Sequence, residues 1–467
     1  MLSKFSHQAG EIAWGVATAA YQIEGSVRSD GRGESIWDTF CKTPGKIVTG
    51  DTGDVACDHY RRYPEDIAIM KDLGIEHYRF SVSFSRIFPD GRTLNVRALD
   101  FYERLVEDLL AAGIRPAVTL YHWDLPQALQ DQGGWASRDT AWRFAEYASE
   151  VYARLGDRVQ TFITHNEPWC TACLGHLSGE HAPGIQDPQV AANVGHNLLL
   201  SHGLAVRAYR EAGCKGDIGI TLNLTPAQPA TDSAEDVEAA AAFDAFANGW
   251  FLDPLCGRGY PSRLLQVLGA QPANVKTADE RVICAEMDFI GVNYYSYAVV
   301  AHDAGARQGF CHVTPRDRVT QMGWPVNAHA LVGLLERVTR EFALPVYVTE
   351  NGAAYEDSLA DERIHDAERI EYIAEHVAAV CAARAAGVDV KGYYLWTLLD
   401  NFEWQFGYSR RFGIVHVDFA TGMRRLKDSA DFYRNWIASA RSIARQSNES
   451  PIAEAGAIEA VIERGEG

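Results

Sequence analysis

The sequence predicts an α/β protein built as a single (β/α)8 (TIM) barrel with long βα loops. Three observations carry this expectation. Eight short apolar runs, rich in β-branched residues, alternate with amphipathic helical patterns, which argues for a parallel sheet. Eight such units in one chain suggest a closed barrel. No Gly-rich phosphate turn follows the first run. The early Gly31-Arg32-Gly33 follows no strand directly, which speaks against an open doubly wound sheet.

The elements follow in chain order. The first run begins near Ile12 and leads into Tyr21-Gln22-Ile23-Glu24. Residues 12–20 are apolar and end in small side chains, as a short signal peptide would. Glu11 interrupts the start and Lys4 alone supplies positive charge ahead of it, so a strand explains the segment better. Residues 42–58, rich in Gly and Thr, read as a long loop. A helical pattern at 64–73 precedes the second strand, which begins near Glu76 and carries Tyr78-Arg79-Phe80-Ser81. Helix 99–112 leads to the third, from near Arg115 to Tyr121-His122-Trp123-Asp124. Helix 142–155 leads to the fourth, from near Gln160 to His165-Asn166-Glu167-Pro168-Trp169. Helix 189–212 precedes the fifth, which begins near Asp217 and contains Asn223. The sixth begins near Met287 and ends in Asn293-Tyr294-Tyr295-Ser296. Residues 301–322 read as a second long loop. Helix 328–342 leads to the seventh strand, from near Pro345 to Thr349-Glu350-Asn351-Gly352. Helix 364–386 leads to the eighth, from near Val390 to Trp396, followed by Asp400-Asn401-Phe402-Glu403-Trp404. No linker rich in Pro, Gly or Ser divides the chain, so the barrel domain is placed at 1–445. Residues 446–467 read as an acidic C-terminal extension.

Composition narrows the function classes. Hydrophobic residues make up 47% of the 467 and charged residues 22%, which excludes disorder and collagen. The net charge of −19, with no basic run, argues against nucleic acid and anionic membrane as partners. No stretch approaches the length of a membrane helix. The nine cysteines are scattered and odd in number, so a reducing, cytoplasmic setting is expected. Cys170 and Cys173 have CxxC spacing without a second pair, and packing is the expected role. A homo-oligomer is left open.

Chemistry in such a barrel sits at the C-terminal strand ends. There the sequence gathers amides, an imidazole, indoles and carboxylates, which suit a polyhydroxylated ligand. Glu167 and Glu350 each follow an apolar strand and precede a turn. Either alone reads slightly better as an unrelated loop glutamate or an ion-pair partner of Arg79. Together, on opposite sides of the barrel mouth, they are the pair that glycoside hydrolysis uses, one to protonate the leaving oxygen and one to attack or to activate water.

These residues sit in longer motifs: Ala17-Thr18-Ala19-Ala20-Tyr21-Gln22-Ile23-Glu24-Gly25, Gly33-Glu34-Ser35-Ile36-Trp37-Asp38, Thr119-Leu120-Tyr121-His122-Trp123-Asp124-Leu125-Pro126, Asn166-Glu167-Pro168-Trp169 and Val348-Thr349-Glu350-Asn351-Gly352. With them the chain resembles the family 1 glycoside hydrolases, the β-glucosidase family, over roughly residues 5–437. The resemblance implies retaining hydrolysis of β-glucosides, with Glu350 as nucleophile and Glu167 as acid/base. It implies that Gln22, His122, Asn166 and Glu403 bind sugar hydroxyls, that Trp396 is the stacking floor, and that Trp404 adds an indole N–H. Trp123, Asn293, Trp324 and Phe412 complete the implied substrate-binding set. Tyr295 would hydrogen-bond Glu350, and Arg79 would lie beneath it. Both would lower its pKa, while Glu167 keeps a higher one. Side chains meet both protonation roles, so no cofactor or metal is expected.

Departures from the family pattern fall outside that set. His165 stands where an apolar residue is usual, and packing behind the strand is the expected role. Phe84, in place of a common Trp, is expected to face the aglycone side. His176 and the Pro325-Val326-Asn327-Ala328-His329 stretch after Trp324 bear on the same side. Glu403 stands where phospho-β-glycosidases usually carry Ser, so unphosphorylated sugars are expected. Glucose against galactose or fucose is left open, as is transglycosylation. The rivals are a sugar-binding barrel without catalysis, and a metal-dependent hydrolase using His59, His122, His165 or His181. The latter lacks both a His-x-His after the first strand and a His-Glu-x-x-His.

Overall fold

A computed structural model of the chain describes residues 6–360 and 363–449. Eight parallel strands close into a barrel: β1 Ala13–Ala17, β2 His77–Ser81, β3 Arg115–Tyr121, β4 Thr161–Asn166, β5 Asp217–Asn223, β6 Phe289–Asn293, β7 Val346–Asn351 and β8 Val390–Trp396. Each pairs with its neighbours in sequence, and β1 closes on β8, with Ala17 beside both Trp396 and Arg79. All eight expected strands begin within two residues of the expected positions. The segment that mimics a signal peptide contains β1, whose last four residues are buried.

The barrel sequences are apolar almost throughout because both faces are covered. Helices Val96–Ala111, Arg138–Leu155 and Pro188–Glu211 each turn an apolar stripe inward. In the first, Leu99, Tyr102, Val106 and Leu109 recur at helical spacing and are buried. Asp187 caps the third by accepting from the backbone N–H of Gln189 and Val190. Where β7 ends, only glycine fits: a Cβ on Gly352 would come within 1.7 Å of the Trp396 carbonyl oxygen.

One expectation needs correction. Residues 301–322 are not simply a loop. Strands Ala298–His302 and Phe310–Val313 pair antiparallel there, and Ala227–Pro229 adds a third strand. This small sheet is short and half exposed, so it lacks the apolar run that marks a barrel strand. Between β5 and β6 the chain also forms helices Ala234–Asp244, Trp250–Leu255 and Ser262–Leu268. The first buries Ala239 and Ala240, whose small side chains write a weak pattern. Residues 42–58 carry no helix or strand after Cys41, as expected. The last helix runs Asp428–Glu449, so the expected boundary at 445 falls within it. The rest of the expected extension, 450–467, lies outside the described residues. Among the described residues no helix is long and apolar enough to cross a membrane.

Candidate active site

The C-terminal strand ends surround a cavity of about 660 Å3. Glu167, Glu350, His122, Trp123, Asn293, Tyr295, Trp324, Trp396, Glu403, Trp404 and Phe412 all line it. Gln22, Arg79 and Asn166 are buried beside these residues rather than lining the space.

The strands place the two glutamates by local irregularity. Register slips between Ile163 and Asn166 on β4, and between Val348 and Glu350 on β7. Such slips re-aim side chains near active sites. Glu167 then adopts a left-handed backbone (φ 48°), as do Trp123 (φ 78°) and Trp404 (φ 48°). Three non-glycine residues in that region around one cavity mark backbone strain concentrated at a site.

Asn166 ties the inner wall together. Its Oδ1 accepts from Arg79 Nη2 at 2.7 Å and from Asn293 Nδ2 at 3.0 Å. Arginine can only donate, so the amide orientation is determined, and Nδ2 donates to His122 Nε2 at 3.0 Å. That leaves His122 with its proton on Nδ1, an atom without a protein partner. Burial, with Arg79 nearby, holds His122 well below the ordinary histidine pKa, so the ring is neutral. The Asn166 carbonyl oxygen accepts from Trp123 Nε1 at 2.9 Å.

The glutamates have unequal surroundings. Glu350 Oε1 accepts from Arg79 Nη1 at 2.6 Å, and Oε2 accepts from the Tyr295 hydroxyl at 2.6 Å. Glu167 Oε1 accepts from Asn293 Nδ2 at 2.7 Å, and Oε2 from the Cys170 thiol at 3.2 Å. One carboxylate has a cation and a phenol, the other an amide and a weak thiol donor. Burial first, and the charge of Glu350 second, push Glu167 up to about 7. Burial also raises Glu350 above the ordinary carboxylate value, although Arg79 and Tyr295 oppose the shift. Arg79 and Tyr295 lower it, as expected, and the net rise comes from the loss of water, which outweighs them. The donor sets still decide where a shared proton sits: on Glu167. Tyr295 is held well above its ordinary pKa by burial and by Glu350, so it stays a donor.

Glu403 is buried, with Oε2 unpartnered, and burial plus the two other glutamates raise it to about 8. Gln22 directs its amide N–H groups to Asn401 Oδ1 (3.0 Å) and the Phe402 carbonyl (2.9 Å), which leaves Oε1 open. Trp396 lies nearly parallel to His122 at 5.9 Å, and Trp404 packs on Trp37 and Trp123, each at 4.5 Å. Trp324 lies 5.3 Å from the Tyr295 ring.

Three departures noted in the sequence lie away from the cavity. Phe84 stacks on Tyr147 at 4.2 Å in the core, so it does not face the aglycone side. His176 is buried with Nδ1 against the Thr171 carbonyl at 2.7 Å, so it does not line the cavity either. His165 packs behind β4, 4.5 Å from the Phe144 ring, with Nε2 on the Ser201 hydroxyl, as expected. Sequence reasoning missed Cys170, Trp169, His181, Phe243, His312 and Val313, all of which line the cavity. Cys170 was within reach: Glu167 opens the helix Pro168–Cys173, so the residue three places on lies one turn away beside it. The residues from the inserted sheet carried no such signal. Among the described residues no group of three or more His, Cys, Asp or Glu could hold a metal ion.

Comparison with known proteins agrees with this geometry. Residues 6–442 match the family described as Glycosyl hydrolase family 1. Beta-glucosidase A of Acetivibrio thermocellus is 47% identical over 435 residues, covering 91% of this chain and 97% of that protein. The crystal structure of the AHE enzyme from Alicyclobacillus herbarius is 52% identical, with a TM-score of 0.90, over 92% of this chain and 98% of that one. The family 1 β-glucosidase from Thermotoga maritima is 46% identical, also with a TM-score of 0.90 and the same coverage. A closed eightfold barrel, a buried glutamate pair at its mouth and a match along nearly the whole length lead to one assignment: this chain belongs to glycosyl hydrolase family 1.

Proposed function

We propose that the enzyme is a retaining β-glucosidase that releases terminal nonreducing β-D-glucosyl residues from short β-glucosides. The observation that carries this reading is the unequal donor sets of Glu167 and Glu350 in one cavity. Glu350, beside Arg79 and Tyr295, attacks the anomeric carbon as a carboxylate. The bond to the aglycone oxygen breaks, and Glu167 gives that oxygen its proton. A glycosyl ester on Glu350 results. Its formation removes the Glu350 charge, which after burial is the second cause of the raised Glu167 pKa, so Glu167 ionises more readily and can act as base. It then takes a proton from water, the water oxygen attacks the anomeric carbon, and Glu350 leaves as a carboxylate.

Gln22, His122, Asn166, Glu403 and Trp404 bind the glucosyl hydroxyls in this reading, and Trp396 forms the floor. Asn293 orients Glu167, while Trp123, Trp324 and Phe412 close the walls. Glu403 Oε2 and Gln22 Oε1 both lack a protein partner, the first able to donate or accept with its protonation state and the second an acceptor. Either can take a C4 hydroxyl in both epimers, which favours β-galactosides and β-fucosides as second substrates. Among the described residues no Lys or Arg lines the cavity, so a 6-phosphate finds no counter-charge there. The free state of all nine cysteines fits a reducing, cytoplasmic setting.

The test is kcat/KM on p-nitrophenyl β-glucoside, β-galactoside, β-fucoside, β-mannoside, α-glucoside and 6-phospho-β-glucoside, with Glu350→Ala as the blank. Strong β-gluco and β-fuco turnover, lost in Glu350→Ala, is expected. Glu167→Ala with azide should yield the β-glucosyl azide. An inverted product, a full rate in Glu350→Ala, or a faster rate on the 6-phosphoglycoside would each sink the corresponding part.

A further inference from the structure

Glu403 and Trp404 come from a tight turn in the chain after β8. The turn closes on itself. The Glu403 N–H donates to the Gly407 carbonyl at 2.7 Å, and the Gly407 N–H donates to the Trp404 carbonyl at 3.0 Å. Trp404 is left-handed (φ 48°), and Gly407 combines φ 57° with ψ −131°, a backbone that favours glycine. Such a turn persists only where its surroundings hold it. Glu403 Oε2 has no protein partner, so the turn, and no side-chain hydrogen bond, fixes that oxygen.

The hold comes from residues 48–52, in the long loop between β1 and β2. The Val48 N–H donates to the Gln405 carbonyl at 2.8 Å. Asp51 Oδ2 accepts from the Tyr408 N–H at 3.2 Å and from the Thr49 hydroxyl at 2.5 Å. The Tyr408 hydroxyl donates to the Thr52 carbonyl at 2.8 Å. The fit is close: a Cβ on Gly407 would come within 2.0 Å of Thr49 Oγ1 and 2.6 Å of Asp51 Oδ2. Asp51 is half-buried and does not line the cavity. As a carboxylate it is the strongest acceptor in this contact.

We propose that Asp51 is a positioning residue for glucosyl recognition: it fixes the turn 403–407 and so sets where Glu403 and Trp404 meet the sugar hydroxyls. The proposal rests on the β-glucosidase reading, in which those two side chains bind the glucosyl unit. It adds a residue outside the cavity on which both depend. A misplacement of about 1 Å in such groups lowers the rate steeply.

A pair of backgrounds tests it. In the wild-type background, Asp51→Ala should lower kcat/KM on p-nitrophenyl β-glucoside by about ten- to a hundredfold, with the far-UV circular dichroism of a folded chain. In Glu403→Gln the contact that Asp51 serves is already damaged, so adding Asp51→Ala should cost less than about twofold more. Asp51→Asn keeps an acceptor for the Tyr408 N–H and should stay within about threefold of wild type. A wild-type rate in Asp51→Ala, an equal loss in the two backgrounds, or a loss in Asp51→Asn as large as in Asp51→Ala overturns the positioning role while the wild-type chain still hydrolyses the glucoside. If the wild-type chain leaves p-nitrophenyl β-glucoside untouched, the parent reading fails and this one fails with it.

Discussion

Arg79 Nη1 lies 2.6 Å from Glu350 Oε1, and both side chains are almost entirely out of water. A guanidinium buried that deeply needs its acceptors. Arg79 has four: Glu350, the Thr349 carbonyl, Asn166 and Thr119. Removing it strands a buried carboxylate. Arg79→Met should cost about 3–5 kcal/mol of stability. The loss of the opposing charge also drives Glu350 further up. The acid limb of kcat/KM should therefore move to higher pH, and an unmoved limb in a folded variant would refute the link.

Cys170 tunes the other glutamate. Its thiol donates to Glu167 Oε2 and stabilises the ionised form. In Cys170→Val that donor is gone, so the Glu167 pKa rises from about 7 and the basic limb of kcat/KM shifts to higher pH. The two glutamates titrate as a pair, so the limbs report pair values. A shift to lower pH would show that the thiol does not act through Glu167.

Glu403 makes the free enzyme lose stability as pH rises. Its folded pKa of about 8 exceeds the ordinary 4.5, so the folded state holds the proton more tightly. The stabilisation is fully present below about pH 4.5 and is lost as pH climbs through 8. Glu403→Gln keeps the shape and removes the titration. Its Tm should match wild type near pH 4.5 and exceed it increasingly towards pH 9, with kcat/KM sharply reduced.

Lys427 holds three segments from one end. Its ammonium meets Asp357 Oδ2 at 2.7 Å and Asp400 Oδ1 at 2.8 Å, fully buried. Asp357 follows β7 and Asp400 follows β8, while Lys427 precedes the last helix. Lys427→Met leaves buried carboxylates short of a partner and should cost about 3–5 kcal/mol, read as a lower denaturation midpoint.

The sequence made the barrel legible because each strand is a short apolar run between turn signals, and parallel strands covered on both faces must be so. It made the inner site legible because Asn166-Glu167-Pro168 and Glu350-Asn351-Gly352 sit where strands end. The cavity wall from the inserted sheet was hidden. Phe310–Val313 and Ala298–His302 are short, half-exposed strands whose pattern resembles a loop, and Phe243 lies on an alanine-rich helix. Phe84 and His176 misled for a related reason. Their place in the chain is near the site, but the backbone turns each side chain into the core. The direction of the Glu350 shift depended on the depth of burial, which no motif states.

Asn166 joins Arg79, Asn293 and His122 through one amide, and its carbonyl holds Trp123. The consequence is an asymmetry in how freely parts of this molecule can change. An alteration on any arm of that amide disturbs the partners on the others. The wall bearing His312 and Val313 hangs from a separate three-stranded sheet and can drift one residue at a time. A substitution at His312 or Val313 touches none of the partners of that amide.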